Sequence, residues 1–168
     1  EAIAEAVYKY AGRLMDTTNL FVSLFDAIKQ EIDPFFVINN RERIQVPPRQ
    51  LGNGLTDHIL RTHEPLFIPD DLPNQMKRLG LETFQLGDTR VAQCWLGAPL
   101  LVGDSVLGVI GLQSVEFQNL FTEHHRDLLT AISSQAAIAI QNARLFEETQ
   151  QHTRELDSLN ELNQKLSA

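Results

Sequence analysis

Residues 94–114 read CWLGAPLLVGDSVLGVIGLQS, and this stretch decides the fold. Two apolar runs, residues 94–102 and 106–114, flank the tripeptide Gly103-Asp104-Ser105. A short glycine-containing polar segment between two apolar runs is typical of a β-hairpin, because glycine adopts the backbone angles that a tight turn requires. We therefore expect two adjacent antiparallel strands at the centre of the fold.

Further elements are predicted on both sides of this hairpin. Helices are expected over residues 2–15, 55–62 and 122–168, and strands over residues 20–25, 35–38 and 66–68. Residues 39–53 contain Pro47-Pro48 and Gly52-Asn53-Gly54 and are predicted to form a loop, since proline cannot donate to a strand ladder. Residues 72–92 are expected to mix one helix with irregular, mobile loops.

Composition limits the classes of function. The chain has 168 residues, of which 43% are hydrophobic and 21% charged, and this profile fits one globular domain. Its formal net charge of −8 argues against a nucleic-acid surface or contact with anionic lipid. No apolar run reaches the roughly 20 residues that span a bilayer. We expect a cytoplasmic location.

The motifs indicate no catalytic or metal site. His58 and His63 are spaced too far apart for a helical metal-binding pair, and His124 and His125 are adjacent at a helix start. The sequence contains neither GxxxxGK[ST] nor GxSxG, and Gly52-Asn53-Gly54 lacks the third glycine of a dinucleotide loop. The single cysteine, Cys94, excludes an intrachain disulfide and is expected to be buried and inert.

The long C-terminal helix changes character near Phe146. Before this residue it is rich in apolar and small side chains, including Ile138 and Ala143, that are expected to pack on the sheet. After it, apolar positions recur at alternating spacings of four and three, as in a coiled coil. This predicted dimer seam consists of Leu145, Thr149, His152, Leu156, Leu159, Asn163 and Leu166. Asn163 at an a-type position favours a parallel dimer; the alternative is a solvated, frayed helix end.

Three groups of motifs are typical of one family. They are PRQLGNGLT at 48–56 with RTHEPL at 61–66, WLGAPL at 95–100 with GVIGLQS at 108–114, and residues 121–146, which include QAAIAIQNARLF. Over residues 2–148 the chain resembles a GAF domain, most strongly those of multidomain bacterial sensor histidine kinases. The resemblance implies an α+β fold, in which an antiparallel sheet of five to six strands carries the terminal helices on one face and a ligand pocket on the other.

Strand alternation divides the residues of this expected sheet between its two faces. Leu20, Val22, Leu24, Val106, Ile110 and Leu112 should lie under the helices, whereas Phe21, Ser23, Phe25, Leu107, Val109, Gly111 and Gln113 should face the pocket. The predicted ligand-binding residues are Phe21, Ser23, Phe25, Ile38, Leu55, Trp95, Gly111 and Gln113. The helix start at residues 54–56 is a candidate anchor for an anionic group. The alternative is a pocket filled by its own side chains.

The resemblance also narrows the ligand. Bilin-binding members carry a chromophore-attaching Cys that is commonly followed by His, whereas here Trp95 follows Cys94, so no covalent bilin is expected. The Asn-Lys…Phe…Asp-Glu signature of cyclic-nucleotide-binding members is not found. Methionine sulfoxide reductases of this fold depend on several cysteines, and this chain has one. We therefore expect no catalytic activity, no cofactor and an unidentified small-molecule ligand.

These expectations describe a sensory and dimerisation domain. Residues 1–148 would form the sensor, and residues 149–168 a coiled-coil linker to an effector domain of the same chain, since a start without Met suggests part of a longer protein. The expected partners are a second copy bound through the terminal helices and a small molecule, with no nucleic acid and no membrane contact. A ligand-free interaction module is the first alternative, and a redox or metal sensor that uses Cys94 or a histidine is the second.

Overall fold

The computed structural model describes residues 1–83 and 90–168. Its helices are α1 (Ala2–Ala11), α2 (Leu55–Thr62), α3 (Leu72–Arg78) and α4 (Glu123–Ser167). Its strands are β1 (Leu20–Asp26), β2 (Glu31–Asn39), β3 (Glu42–Ile44), β4 (Arg49–Gln50), β5 (Leu66–Ile68), β6 (Cys94–Val102) and β7 (Ser105–Ser114). The prediction made for residues 84–89 lies outside the described residues.

The strands form one antiparallel sheet in the order β3-β2-β1-β7-β6-β5, with β4 also paired to β2. The predicted hairpin of β6 and β7 lies near the middle and turns at Gly103, whose φ of +59° suits glycine. The described residues contain seven strands rather than five to six. The additional strands are β3 and β4, which lie in the segment predicted to be a loop. They form because β2 offers them a free edge, and they are too short to leave a sequence pattern.

Helices α1 and α4 cover one face of the sheet, as the sequence predicted. Between them and the strands lies a core of aliphatic and small side chains, which we call the helix-side core. Its most deeply buried members include Leu20, Val22, Leu96, Leu100, Ile110, Leu112, Leu129 and Ala137. Because the side chains of this core are apolar, it stabilises the fold mainly through apolar burial.

The opposite face is covered by the short helices α2 and α3. A second cluster of buried side chains lies there, which we call the cavity-side core: Phe21, Ile32, Val37, Ile59, Leu60, Ile68, Leu72, Met76, Trp95 and Val109. Aromatic residues occur on this face together with buried polar groups, so the two faces differ in chemistry as well as in cover.

Two irregularities in strand register change the predicted faces. The β6–β7 pairing skips one residue, because Leu100 pairs with Gly108 while Leu101 pairs with Val106. The bulged Leu107 therefore packs against the helix-side core and Val106 against the cavity-side core, opposite to the prediction. A similar shift occurs between β1 and β2 around Pro34, which has no N–H to donate.

Helix α4 runs unbroken for 45 residues, and its last buried residue is Ile140. Ile138, predicted to pack on the sheet, is instead 46% exposed, because it lies on the side of the helix opposite Ala136 and Ala137. At the other end of the chain, α1 stops at Ala11 rather than at residue 15, and turns follow it. Within the described ranges, no helix combines the length and apolar character that crossing a membrane requires.

A candidate ligand cavity beneath the short helices

A cavity of about 80 Å³ lies between the sheet and the cover formed by α2 and α3. It is lined by strand residues, by the start of α2 and by the segment that leads into β6. The described lining consists of Phe21, Ser23, Ile32, Pro34, Arg49, Leu55, Thr56, Leu72, Pro73, Met76, Thr83, Arg90, Val91, Ala92, Trp95 and Gln113. Mostly apolar walls with a few polar groups are typical of small-molecule sites.

Most residues predicted to bind a ligand line this cavity, and three do not. Phe21, Ser23, Leu55, Trp95 and Gln113 are part of its wall.

The three exceptions have separate structural reasons. Ile38 pairs with Leu20 and packs in the helix-side core, on the wrong face of the sheet, so its predicted position was wrong. Phe25 packs against the cavity-side core without reaching the lining. Gly111 lies on the correct face, but the ring of Phe21 covers it.

Two aromatic rings form part of the wall because glycines lie beneath them. Gly97 pairs with Gly111 across β6 and β7. A Cβ at Gly97 would overlap the ring of Trp95, and one at Gly111 would overlap the ring of Phe21. The ring centroids lie 6.2 Å apart with a tilt of 35°. The paired glycines therefore let both rings lie flat against the sheet.

A buried ion pair holds the loop that leads into α2. Asp57 has no solvent exposure and accepts from Arg49 Nη1 at 2.9 Å and from Arg49 Nη2 at 2.7 Å. The same carboxylate accepts the backbone N–H groups of Gly52 and Gly54. Arg49 lines the cavity while Asp57 does not. Its partners thus fix the guanidinium at the cavity wall.

The charge state of Asp57 follows from these contacts. Burial raises the pKa of its carboxyl, but the hydrogen bonds and charge of Arg49 and the two backbone N–H groups outweigh burial. The pKa of Asp57 is consequently held below its usual value of 3.8. This carboxylate lies at the N-terminus of α2, where the helix dipole is positive. The helix start that was expected to anchor a ligand anion is therefore already occupied by Asp57.

Two residues of the cavity wall carry hydroxyl groups. Ser23 is 2% exposed and Thr56 is 8% exposed, and both line the cavity. A hydroxyl can both donate and accept a hydrogen bond, so these two groups can bind a polar occupant.

Sequence reasoning missed several wall residues, notably Arg49 and Arg90. Arg49 and Thr56 lie in the motif at 48–56, and only the chain fold shows that Arg49 reaches Asp57 eight residues later. Arg90 precedes β6 in a segment without any periodic pattern. No signal in the sequence marks it as a wall residue.

Cys94 and the histidines lie away from this chemistry. The thiol of Cys94 is fully buried in the helix-side core, and burial raises its pKa, so the reactive thiolate is disfavoured. Among the residues that the structure describes, no cluster of three or more His, Cys, Asp or Glu side chains could hold a metal ion. His125 has a local role: its Nδ1 accepts the N–H of Thr122 at 3.1 Å and caps α4.

Solved structures with the same fold include GAF domains of larger proteins and a reductase. The GAF-B domain of DevS from Mycobacterium smegmatis has 18% identity and a TM-score of 0.66, with 88% of this chain and 97% of that chain covered. The GAF domain of an Acinetobacter phosphoenolpyruvate-protein phosphotransferase has 17% identity and a TM-score of 0.61, with coverage of 85% and 82%. The type II free methionine-R-sulfoxide reductase of Thermoplasma acidophilum has 11% identity and a TM-score of 0.58, with coverage of 81% and 96%.

At these identities the similarity establishes the fold alone. No curated protein matches the sequence significantly. The family model described as "GAF domain" matches residues 1–141, which is most of the chain and includes every strand and the sheet-packed part of α4. The α+β fold and the motif resemblance agree with this match, and the chain belongs to the GAF domain family.

Proposed function

We propose that this chain is a non-catalytic, small-molecule-sensing and dimerisation domain of a cytoplasmic bacterial signalling protein, with a histidine kinase as the effector. The observation that carries this proposal is one continuous connection. Strand β7 contributes Gln113 to the cavity wall and leads, through a connection of eight residues, into α4. A ligand that prefers one arrangement of this connection would shift α4 between two positions.

The connection between β7 and α4 is well ordered by its own contacts. The Ser114 hydroxyl accepts the N–H of Phe117 at 3.0 Å, and the Ser114 carbonyl accepts the N–H of Gln93 at 2.7 Å. Phe121 is buried in the helix-side core, immediately before the Thr122 cap of α4. A displacement at Gln113 would therefore move a packed segment rather than a loose loop.

Helix α4 supports dimerisation through the face that the sheet leaves free. Leu145, Leu156, Leu159 and Leu166 are each about half exposed or more, with 53%, 49%, 56% and 74% of their surface accessible. The seam continues backward to Ile138, seven residues before Leu145. A second copy would bury these side chains, as knobs-into-holes packing does in coiled coils.

Charge placement favours the parallel orientation of that dimer. Two of the g-type positions beside the seam are Glu148 and Glu155, and the e-type positions that they would face in a parallel pair are Thr153 and Asn160. In a parallel pair each g position faces an e position of the partner, so the glutamates meet polar, uncharged residues. An antiparallel pair would bring g positions together and place glutamates opposite each other. Asn163 favours the parallel register as well.

Native mass spectrometry of the purified chain tests both halves of the proposal. We expect a dimer mass that carries a bound small molecule. Ser23→Val, which removes the cavity hydroxyl, should lose the bound mass and keep the dimer. Leu159→Asp should give monomers that retain the bound mass, because Leu159 contributes to the seam and not to the folded domain.

Arg154→Asp is the matched control, since it introduces the same side chain on the face of α4 away from the seam and should remain dimeric. A monomeric parent chain would contradict the dimer. A parent chain without bound mass, whose melting temperature no metabolite changes, would contradict sensing and favour the ligand-free interaction module.

A further inference from the structure

A backbone hydrogen bond joins the cover of the cavity to the segment that leads into α4. The N–H of Asn119 donates to the carbonyl of Pro69 at 2.7 Å. Pro69 directly follows β5 and lies three residues before Leu72, where α3 begins. Asn119 lies three residues before Thr122, the N-cap of α4. We call this hydrogen bond the clasp, because it connects two segments that are far apart in the chain.

Helix α3 forms part of the cavity wall through its buried side. Leu72 and Met76 are 3% and 4% exposed, belong to the cavity-side core and line the cavity. An occupant of the cavity therefore lies against these two side chains. Because protein interiors are closely packed, a change in what fills the cavity shifts the elements that lie against it.

The acceptor of the clasp lies between two such elements. Ile68, immediately before Pro69, belongs to the cavity-side core and pairs with the wall residue Trp95. On the other side, Asp71 is the N-cap of α3 and has a φ of +47°, so the chain turns from β5 into α3 within a few residues. A displacement of either β5 or α3 therefore reaches the carbonyl of Pro69.

The donor of the clasp leads directly into the first turn of α4. Phe121, two residues after Asn119, is 2% exposed, and its ring meets the ring of His125 edge-on with centroids 6.2 Å apart. Nδ1 of His125 accepts the N–H of Thr122. Asn119 itself has a φ of +57°, a left-handed conformation that asparagine tolerates better than most residues. A displacement of Asn119 therefore affects both the packing of Phe121 and the cap of α4.

We propose that the clasp transmits the state of the cavity to α4, as a second route beside β7. The inference rests on the proposed sensing function, since it names the contact through which the same cavity regulates the helix. A closed clasp holds the start of α4 to the cavity cover, and an open clasp releases it. Asn119 lies in an exposed segment, where one hydrogen bond opens without global unfolding. An occupant that favours one state shifts the population toward it.

Amide hydrogen exchange, followed residue by residue with NMR on the whole chain, tests the clasp from the cavity side. Leu72→Ala loosens α3, and the matched control Leu60→Ala removes the same atoms from α2 in the same core. The reporters are the amides of Asn119 and of Arg126, which donates to Thr122 in the first turn of α4. In Leu72→Ala their exchange should rise about fivefold relative to the amides of β6 and β7, the factor that loss of one ordinary hydrogen bond produces. In Leu60→Ala this ratio should match the parent.

The reverse experiment perturbs the clasp from the α4 side and leaves the core unchanged. Asn119→Pro removes the donor N–H, whereas the matched control Asn119→Gly keeps the N–H and the left-handed conformation. Because coupling between two sites is reciprocal, Asn119→Pro should accelerate exchange at the amide of Gln75, which donates to Asp71 in the first turn of α3. Asn119→Gly should exchange like the parent. These two variants test the clasp even if Leu72→Ala does not fold.

The outcomes separate this inference from the proposed function. Equal exchange ratios in Leu72→Ala and Leu60→Ala, or unchanged exchange at Gln75 in Asn119→Pro, would overturn the clasp. If native mass spectrometry then finds a small molecule bound to the parent chain, sensing stands with β7 as its route. If the exchange experiments show the coupling and no small molecule is bound, the clasp stands as a connection between the cavity cover and α4, while sensing fails.

Discussion

The two faces of the sheet use alternate residues of the same strands, yet they are closed in opposite ways. The helix-side core joins aliphatic side chains to the long helices α1 and α4. The cavity-side face is closed by two short helices and contains the Arg49–Asp57 ion pair, the glycines under the rings of Phe21 and Trp95, and a cavity. Apolar packing thus stabilises one face, whereas the other combines apolar packing with a buried ion pair and an open space.

Removal of the buried carboxylate of Asp57 should cause the largest loss of stability on the cavity side. Asp57→Ala leaves Arg49 and two backbone N–H groups without their shared partner, so the free energy of unfolding should fall by about 3–5 kcal/mol. Trp95 fluorescence of the folded variant should also change, because Arg49 and Trp95 border the same cavity. Urea unfolding monitored by circular dichroism and fluorescence measures both.

Leu129→Ala is the comparison on the other face. Its loss of stability should also amount to several kcal/mol, roughly 2–5, because Leu129 is fully buried under the helix-side cover. The native fluorescence of Trp95 should nevertheless be unchanged. If both variants alter the fluorescence alike, the two faces are not independent.

The dependence of stability on pH should be specific to the cavity face. Since the folded pKa of Asp57 lies below its ordinary value of 3.8, its carboxylate stabilises the fold fully above that pH. This contribution is lost as the pH falls from about 4 through the lower folded pKa. The free energy of unfolding should therefore fall more steeply between about pH 5 and pH 3 for the parent than for Asp57→Asn.

Asp26 is the internal reference for this experiment. The N–H group of Lys29 lowers the pKa of this exposed carboxyl too, but Asp26 is present in both proteins and cancels in the difference. Equal slopes for the parent and Asp57→Asn would mean that Asp57 makes no net contribution to the dependence on pH.

The smallest expected effect comes from a hydroxyl on the helix side. Ser133 is fully buried in α4, and its Oγ has no partner among the described residues. Ser133→Ala should raise the free energy of unfolding by about 1 kcal/mol, because it removes a buried unpaired group and improves helix propensity. Thermal unfolding with and without a cavity ligand measures this gain.

Ser23→Ala makes the contrast between the two hydroxyls. In the free protein its stability should change less than that of Ser133→Ala, because Ser23 lies in the cavity wall, and in the presence of a cavity ligand it should be less stable than the parent. A destabilised Ser133→Ala would show that its hydroxyl is satisfied and that the two faces treat buried polar atoms alike.

Sequence periodicity predicted the main elements well, because long amphipathic segments and the hairpin carry strong local signals. The bounds of α2 and β5 and the hairpin turn at Gly103 agree with the structure almost residue for residue. The strands β3 and β4 were missed because they exist only through pairing with β2. The faces of Val106 and Leu107 were exchanged because a bulge adds one residue to a period of two.

Several residues that were predicted to bind a ligand lie on strands and line the cavity. Phe21 and Ser23 follow the expected alternation of β1, and Trp95 of β6 lies in the same wall. Ile38 failed because the residues beyond the Pro34 irregularity change face relative to those before it. Arg49 and Arg90 were not found, since loops position them and loops have no periodicity.

The sequence by itself determined the family, the hairpin at the centre of the sheet and the long helix with its exposed leucines. Those features depend on neighbouring residues, and neighbouring residues are visible in the chain. The tertiary structure alone decided that Asp57 holds Arg49 at a cavity wall, that paired glycines lie beneath the rings of Phe21 and Trp95, and that Ser133 is buried in α4 without a partner among the described residues. Such contacts depend on how loops and strands meet in the folded chain and not on a periodic pattern, so their chemistry appears only in the tertiary structure.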